Sequence, residues 1–442
     1  MNESSTPFTP NGSDQLASAS AEVTWPEGPT AMLVVHGIGN QLPLETLDQF
    51  GRGLIQVYQQ EFGESLIVSH HLVDKEDTRG GLWFDNVLRL SRQGKPGFID
   101  LYEYYWAYYS EDKATWRDIN GWIQGVVKGA RHFYQRNASL GQQYKDKSLF
   151  FHSRTGEFSS FRYNLFVSFA SKVLLGLDAL WRGFLWLITR IPFLGSLADA
   201  LIRSYADNAV RGLTNVIGDV VVYNVNDPKS KFYDVKKRIK EGAVKSLKYL
   251  IEREDSNEKN LPYYPRVVVA GHSLGSQVAY DAINRMNLLV NQGEVNGYRK
   301  DGTHKTTGAK LEKQLCGFVT FGSPLDKIMF FLRENVPDEQ YLRQQFLDHF
   351  NGFKQRDINF GNSNRGNPNY VKTNSSLQRH LENIPWRNYY DGYDYVSGGL
   401  DYYHNLTNID CRFKPSGFIK FTHSDYWTHP PFYRDIIRHF IQ

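Results

Sequence analysis

The sequence predicts an α/β protein in which a mainly parallel sheet is covered by helices on both faces. Its 442 residues are enough for a large buried core, and hydrophobic and charged fractions of 41% and 22% are ordinary for a globular protein. Several short apolar runs have the uninterrupted hydrophobicity that is typical of parallel strands buried on both sides. These runs alternate with amphipathic helical patterns along most of the chain, which favours a doubly covered sheet.

The elements of the first half of the chain follow in order. Residues 31–35 form the first apolar run and are predicted as a strand, and a helix is predicted over 44–62. Two further strands are predicted over 66–73 and 98–106, the latter because apolar and polar residues partly alternate there. A short strand over 219–223 completes this half.

The second half begins with a helix over 233–252, where apolar residues recur at helical spacing while lysines face elsewhere. A strand over 266–270 follows after two prolines. Later strands are predicted at 317–321, 387–390 and 418–421.

Long segments that break the alternation are predicted to be insertions. Residues 110–218 separate two strands by far more than a crossover needs, and we interpret them as a helical cap or lid. Residues 336–385 form a second insertion, and 285–314 form a polar excursion. The Ser-, Thr- and Pro-rich residues 1–30 are predicted to be a disordered tail, which leaves 31–442 as the folded domain.

Charge and cysteine content exclude several classes of protein. A net charge of +4 is too small for a nucleic-acid binder, and Cys316 and Cys411 provide neither a disulfide framework nor a metal-binding spacing. We therefore expect no metal and no cofactor. The N-terminal segment lacks the pattern of a cleaved signal peptide, which predicts a cytoplasmic protein.

The segment around Ser273 has the pattern of a nucleophile elbow. The apolar run Val267-Val-Val-Ala enters Gly-His-Ser-Leu-Gly, and a helical pattern follows at once. Gly271 and Gly275 leave room for the helix to pack on the strand, so that a strained turn holds the Ser273 hydroxyl above the sheet. The amide of Leu274, at the start of the helix, is the predicted first donor to an oxyanion.

A second oxyanion donor is expected from the glycine-rich turn His36-Gly-Ile-Gly, which follows the first strand. The amide of Ile38 is the predicted donor. A simple tight connection between strand and helix is the alternative interpretation. A phosphate-binding loop is disfavoured, because no Gly-Lys-Ser or Gly-Lys-Thr sequence follows.

A serine nucleophile needs a histidine to take its proton, and in a fold of this kind the chain order is serine, acid, histidine. His423 satisfies this order and follows an apolar run. Three other late histidines remain as alternatives, namely His404, His429 and His439.

The acid that orients the histidine is predicted to be Asp394, in the pattern Asp-x-Val-Ser-Gly after a strand. Asp391 lies close enough in sequence to compete with it. Asp326, which follows the preceding strand, is a further alternative. Each aspartate taken alone is also compatible with a role in a turn or a helix cap.

Five segments together resemble the lipase and esterase branch of the α/β-hydrolase superfamily, and they extend over nearly the whole chain. The resemblance implies the α/β-hydrolase fold with a cap or lid, a triad of Ser273, Asp394 and His423, an oxyanion hole and an ester-like substrate. The segments are His36-Gly-Ile-Gly, Gly271-His-Ser-Leu-Gly, Phe321-Gly-Ser-Pro-Leu, Asp394-x-Val-Ser and His423-Ser-x-Tyr-Trp.

The expected activity is hydrolysis of carboxylic esters, of lipids or other acyl substrates, through an acyl-Ser273 intermediate. Acyl transfer or thioester hydrolysis by the same triad is an alternative. A non-catalytic relative that binds a lipid or a protein is another, and a purely structural strand-to-helix turn is a third.

The apolar part of the first insertion bears on the substrate. Residues 165–188 include thirteen Leu, Ile, Val or Phe residues, but Lys172, Asp178 and Arg182 make a bilayer span about neutral or unfavourable in free energy. On a helical projection these three charges share one arc. Residues 161–202 are therefore predicted to be an amphipathic element, either packed over the site or in peripheral contact with a membrane.

Overall fold

The computed structural model describes most of the sheet-forming part of the chain and little of the first insertion. The described residues are 13–16, 23–37, 42–63, 66–73, 86–110, 159, 162, 223, 230, 232–255, 261–296, 305–326, 328–329, 340–350, 352–354, 375–394, 396–414 and 422–442.

These residues form a nine-stranded sheet with the order β1-β9-β8-β7-β6-β2-β5-β4-β3. Every neighbouring pair from β1 to β5 along that order is parallel, whereas β4 is antiparallel to both β5 and β3. The predicted mainly parallel sheet is thus confirmed. The strands are β1 (Ser13–Gln15), β2 (Thr30–Val35), β3 (Ile67–Leu72), β4 (Asn86–Ser91), β5 (Phe98–Tyr104), β6 (Arg266–His272), β7 (Leu315–Phe321), β8 (Trp386–Tyr390) and β9 (Thr407–Asp410).

Helices flank the sheet. A short 3-10 turn, Asp425–Thr428, precedes the last helix, and the π turn Ile437–Ile441 follows it. The described helices are α1 (Glu45–Phe62), α2 (Ala107–Ser110), α3 (Tyr233–Glu252), α4 (Gly275–Asn291), α5 (Gly308–Gln314), α6 (Tyr341–Phe350) and α7 (Pro430–Ile436).

The central strands are buried on both faces, which explains their uninterrupted apolar runs. Successive residues of a strand point to opposite faces, and β2 shows this directly. Leu33 belongs to the apolar layer that includes α3 and α4, whereas Met32 belongs to the layer that includes α1 and α7. The prediction of helices on both faces is therefore confirmed.

Eight predicted elements coincide with observed ones to within two residues at each end: β2, β3, β5, β6, β7, β8, α1 and α3. Three strands were not predicted from the sequence, namely β1, β4 and β9. Strand β4 carries polar residues that only its neighbour β5 explains, since Arg89 forms two 2.7 Å hydrogen bonds with Asp100.

The predicted disordered tail over 1–30 is wrong where the structure describes it. Strand β1 pairs with β9, and the indole of Trp25 donates a 2.8 Å hydrogen bond to the carbonyl of Gly97. Trp25 also packs edge-on against Tyr58, with ring centroids 4.9 Å apart. Burial of this aromatic side chain anchors the segment that leads into β2.

The predicted polar excursion over 285–314 is also partly wrong. Helix α4 continues to Asn291, because Met286, Leu289 and Val290 pack into the core. Helix α5 occupies the end of the range, where the Gln314 amide donates 3.0 Å hydrogen bonds to two main-chain carbonyls.

Several predictions fall outside the described residues. Of the cap over 110–218 only residues 110, 159 and 162 are described. Apart from Arg162, the apolar element over 161–202 lies outside the described residues, and so does the strand over 418–421. Of the strand over 219–223 only Tyr223 is described, and it is helical. Within the described part of the chain, no helix combines the length and the hydropathy needed to cross a bilayer.

Part of the second predicted insertion, 336–385, is described and packs on the domain. It contains α6, and the buried ammonium of Lys354 donates 2.8 Å hydrogen bonds to the carbonyls of Glu382 and Asn405. These bonds join the insertion to the loop that precedes β9.

Candidate active site

The predicted site residues gather at the carboxyl ends of adjacent parallel strands. Ser273 follows β6, Gly37 follows β2, Gly322 follows β7, and Asp394 lies in the loop after β8. These four strands are neighbours in the order β8-β7-β6-β2. In parallel α/β sheets this edge is where ligands bind.

Ser273 occupies the strained turn that the sequence predicted between β6 and α4. Its φ angle is 52°, in the left-handed region that residues other than glycine seldom adopt. Its amide donates a 3.0 Å hydrogen bond to the carbonyl of Phe321, and its own carbonyl accepts one from Ser276 at 3.0 Å. These two hydrogen bonds fix the backbone of the turn to β7 and to α4.

The glycines of the motif are required by close backbone packing. A Cβ on Gly271 would lie 2.6 Å from the Cα of Ser276, and a Cβ on Gly275 would collide with the carbonyl oxygens of Val35 and His36. Helix α4 therefore packs directly against the ends of β6 and β2, as the sequence predicted.

The hydroxyl of Ser273 is buried and makes no hydrogen bond with any described residue. Gly37 lies against it, since a Cβ there would be 2.7 Å from the Cβ of Ser273. Leu274 is the N-cap of α4, so its amide is among those that the helix leaves unpaired. The other predicted oxyanion donor, Ile38, lies outside the described residues.

Asp394 and His423 form the pair that the sequence predicted. The Nδ1 of His423 lies 3.0 Å from each carboxylate oxygen of Asp394. The Asp394 side chain is fully buried, whereas 16% of the His423 side chain is exposed. The imidazole therefore faces the surface of the site while its partner is withdrawn into the protein.

The environment of Asp394 keeps it ionised. Burial alone would raise its pKa, but the hydrogen bond and charge of His423, with the bonds from Ser397 and Tyr426, lower the pKa to about 2. The amides of Val396 and Ser397 donate at 3.0 and 3.3 Å, and the Tyr426 hydroxyl donates at 2.9 Å. An ionised carboxylate fixes the proton on Nδ1 of His423 and therefore leaves the lone pair of the neutral ring on Nε2.

Gly322 brings His423 to the elbow. It has a φ angle of 61°, and a Cβ there would lie 3.0 Å from the Cε1 of His423. The residue before it, Phe321, accepts the hydrogen bond from the Ser273 amide. The imidazole thus lies beside the elbow without a hydrogen bond to the serine hydroxyl.

The two alternative acids, Asp391 and Asp326, accept hydrogen bonds that stabilise loops. Asp391 accepts hydrogen bonds from the Thr422 hydroxyl at 2.6 Å and the Phe413 amide at 2.8 Å. Asp326 accepts from the amides of Asp401 and Tyr402 at 2.7 and 3.1 Å. Both therefore have the turn-stabilising role that an isolated aspartate commonly plays.

The three alternative histidines have other structural surroundings and contacts. His404 lies 3.8 Å from the carboxylate of Glu382, and His429 is the N-cap of α7. His439 bonds through Nδ1 to the carbonyl of Asp435 at 2.8 Å.

His272, whose contacts the sequence did not reveal, packs against His423. Its Nε2 lies 3.1 Å from the carbonyl oxygen of His423, and the two ring centroids are 4.8 Å apart. Phe321 and Trp427 flank the same ring at 5.0 and 4.9 Å. Burial, with the nearby charge of His423, lowers the pKa of His272 to about 3, so the ring is neutral.

His36 is a second buried histidine. Its place in the glycine-rich turn was predicted from the sequence, but a role of its side chain was not. Its Nε2 accepts a 2.8 Å hydrogen bond from the Trp106 amide, so its Nδ1 carries the proton and donates to the Gly37 carbonyl at 2.6 Å. Burial lowers its pKa to about 4. The ring stacks on the Trp106 indole at 4.9 Å. His36 thus fixes the turn that places Gly37 against Ser273.

Among the described residues, no cluster of three or more His, Cys, Asp or Glu side chains is arranged to hold a metal ion. Cys316 and Cys411 are free thiols.

Fold and site together define an α/β protein with a mainly parallel sheet, whose strained serine and Asp–His pair share the carboxyl edge of that sheet. Comparison of the chain with protein-family models, curated proteins and solved structures finds no match. The function is therefore inferred from the residues of the site.

Proposed function

We propose that this protein is a serine hydrolase of the α/β-hydrolase fold that cleaves carboxylic esters through an acyl-Ser273 intermediate. The observation that carries the proposal is the hydrogen-bonded pair of Asp394 and His423 beside a serine with φ of 52°. A serine at a strained strand-to-helix turn and a histidine oriented by a buried carboxylate are the parts that acyl-enzyme chemistry requires.

In the proposed first step, the Ser273 oxygen attacks the ester carbonyl carbon as its proton passes to Nε2 of His423. The tetrahedral oxyanion accepts hydrogen bonds from the Leu274 amide and from that of Ile38, which stays a prediction from the sequence. The C–O bond to the alcohol then breaks, and the alcohol leaves with the proton from His423. Water attacks the acyl-enzyme with His423 again as base, which releases the acid and restores Ser273.

The α/β-hydrolase fold is part of the same proposal. The serine lies between β6 and α4, and the turn proposed for the second oxyanion donor follows β2, the strand next to β6. The acid follows β8, and the chain order is serine, aspartate, histidine. Each of these placements is what that fold requires.

The substrate class is proposed from the apolar element over 161–202. The charged arc and the apolar arc that the sequence predicts for this element suit an acyl chain or a membrane interface, which favours lipid esters. Peripheral membrane contact of an otherwise cytoplasmic protein is proposed on the same ground.

Replacing the nucleophile tests the proposal. We expect Ser273→Ala to lower kcat/KM for p-nitrophenyl butyrate by roughly 10³-fold or more, because the acyl-enzyme cannot form. A fluorophosphonate should label the parent protein and not this variant. Ser246→Ala is a matched control, because that buried hydroxyl donates a hydrogen bond to the carbonyl of Gly242 within α3.

Full activity in Ser273→Ala would refute the proposed nucleophile. A folded parent protein that neither hydrolyses esters nor reacts with the fluorophosphonate would instead favour a binding protein. Product analysis with added alcohol or thiol acceptors separates hydrolysis from acyl transfer, and a thioester substrate tests thioesterase activity.

A further inference from the structure

His272, the residue before the proposed nucleophile, takes no part in the chemical steps described above. It is nevertheless buried at the centre of the site, at 7% exposure, with its ring enclosed by Phe321, Trp427 and His423. A neutral imidazole in this position has two nitrogens with different roles, and the contacts determine which nitrogen carries the proton.

The Nε2 of His272 is the donor. Its partner at 3.1 Å is the carbonyl oxygen of His423, which can only accept a hydrogen bond. Because burial keeps the ring neutral, Nε2 holds the single proton and Nδ1 holds a lone pair. The bond is therefore N–H to O=C, a fixed link from the elbow to the backbone of the proposed base.

Two hydrogen bonds thus hold His423, one to its ring and one to its main-chain carbonyl. Asp394 binds the ring through Nδ1 and sets its orientation and tautomer, whereas His272 binds the main-chain carbonyl. Close packing at Gly322 limits movement further, because a Cβ there would lie 3.0 Å from His423 and 3.3 Å from the His272 ring.

We propose that His272 is a positioning residue, whose hydrogen bond to the His423 carbonyl sets the distance between the His423 imidazole and the Ser273 hydroxyl. The inference rests on the proposed function. His272 and Ser273 are consecutive, so one strained turn carries both the nucleophile and the anchor of its base. A displacement of His423 by a fraction of an ångström lengthens the path of the transferred proton and lowers kcat, with little effect on substrate binding.

The test compares His272→Met with His272→Gln. The two side chains have similar length and volume, but only Gln carries an amide N–H at about the reach of the imidazole Nε2. With p-nitrophenyl butyrate, we expect His272→Met to lower kcat about tenfold with KM unchanged, the usual order for one lost hydrogen bond. His272→Gln should recover kcat to within about threefold of the parent protein.

Fluorophosphonate labelling separates slow chemistry from loss of folded protein. The Met variant should reach the same final stoichiometry as the parent, but with a rate constant lower by about the same factor as kcat. A merely structural role would instead lower the final stoichiometry of both variants alike.

His439→Met is the matched control for losing a bond between imidazole and carbonyl. His439 bonds to the carbonyl of Asp435, and the neighbouring Phe440 carbonyl accepts from Arg266 at the opposite end of β6 from His272. Six residues of strand separate Arg266 from His272, roughly 20 Å along β6. We expect kcat of this variant to stay within about twofold of the parent value.

Equal kcat in the parent and His272→Met would overturn the inference, and so would equal losses in the Met and Gln variants. If the Met variant is unfolded by circular dichroism, His272→Asn replaces it, because Asn carries the same amide on a shorter stem. Equal kcat in folded Gln and Asn variants would then overturn it. A parent protein without hydrolysis or labelling refutes the proposed function instead.

Discussion

Asp394 is fully buried and ionised because several donors converge on its carboxylate. The Nδ1–H of His423, the hydroxyl of Tyr426 and two main-chain amides all point to it. Charge-assisted hydrogen bonds of this kind offset the cost of burying the carboxylate and lower its pKa to about 2. The charge is what holds His423 in the tautomer with its proton on Nδ1.

The role of this charge can be tested with Asp394→Asn. The amide keeps the shape of the carboxylate but favours the wrong tautomer of His423, so we expect kcat to fall by roughly 10³-fold or more. The measurement is kcat and KM for p-nitrophenyl butyrate, with KM expected to change little.

Asp326→Asn is the matched control, because that aspartate accepts hydrogen bonds from the loop amides of Asp401 and Tyr402. It should lower the free energy of unfolding by about 1 to 2 kcal/mol and leave kcat within about threefold. An equal loss of kcat in the two variants would contradict the assignment of Asp394 as the acid.

The central strands were predictable because they are buried on both faces. Runs such as Val267–Ala270 are apolar throughout because both faces are covered, and β6 and α4 were correctly predicted around the elbow. Strand β4 was missed because Arg89 is satisfied by Asp100 on another strand, which no local pattern reveals. Strand β1 depends entirely on a partner some 400 residues away, since Ser13 pairs with Asn408.

In the candidate site, too, local motifs were predictable from the sequence and contacts between distant residues were not. Ser273, Asp394 and His423 lie in local motifs with a fixed chain order, so the sequence was enough to rank them above their alternatives. The contacts of His272 with His423 and of His36 with Trp106 were not predictable, because these partners lie 151 and 70 residues away in the chain. Local sequence does not encode which buried imidazole meets which carbonyl.

The packing of α4 on β2 leads to a prediction for Gly275→Ala. The added methyl group would meet the main-chain carbonyls of Val35 and His36, and backbone atoms cannot move aside as a flexible side chain can. We expect the free energy of unfolding to fall by about 2 to 3 kcal/mol, measured by urea denaturation, with loss of fluorophosphonate labelling.

Gly28→Ala is the control, because its added methyl group would meet only the side chain of Pro265 at 3.9 Å. Its free energy of unfolding should stay within about 0.5 kcal/mol of the parent value. A stable, reactive Gly275→Ala variant would contradict the observed packing of the elbow.

Across the whole molecule, buried histidines make stability depend on pH. Burial lowers the pKa of His36 to about 4 and that of His272 to about 3, from an ordinary value of 6.5. Between pH 6.5 and 4 the unfolded chain therefore binds protons that the folded protein does not. Stability falls as the pH is lowered through this window, by up to about 1.4 kcal/mol per pH unit for each histidine.

We predict that His36→Gln removes one such contribution. Below pH 6.5, the free energy of unfolding of the variant should fall less steeply than that of the parent, by about 1.4 kcal/mol per pH unit. Urea denaturation at several pH values between about 4.5 and 6.5 measures both slopes. Parallel slopes would show that His36 is protonated in the folded protein.

Glu103 provides a control of opposite sign. Its carboxylate accepts a hydrogen bond from the amide of Leu44, and burial raises its pKa to about 7 from 4.5. Between these values the folded protein keeps a proton that the unfolded chain has lost, so Glu103 makes stability fall as pH rises. Glu103→Gln should therefore make the pH dependence below 6.5 steeper, whereas His36→Gln makes it shallower.

The pairing of β1 with β9 also affects how the sheet meets other chains. An unpaired strand edge is a template for association, and β1 covers part of the row of amides and carbonyls that β9 would otherwise expose. At the opposite edge, β3 carries exposed apolar side chains at Ile67, Val68 and Leu72. Removing the N-terminal segment would expose the part of β9 that β1 pairs with, so N-terminal truncations for expression should begin before Ser13.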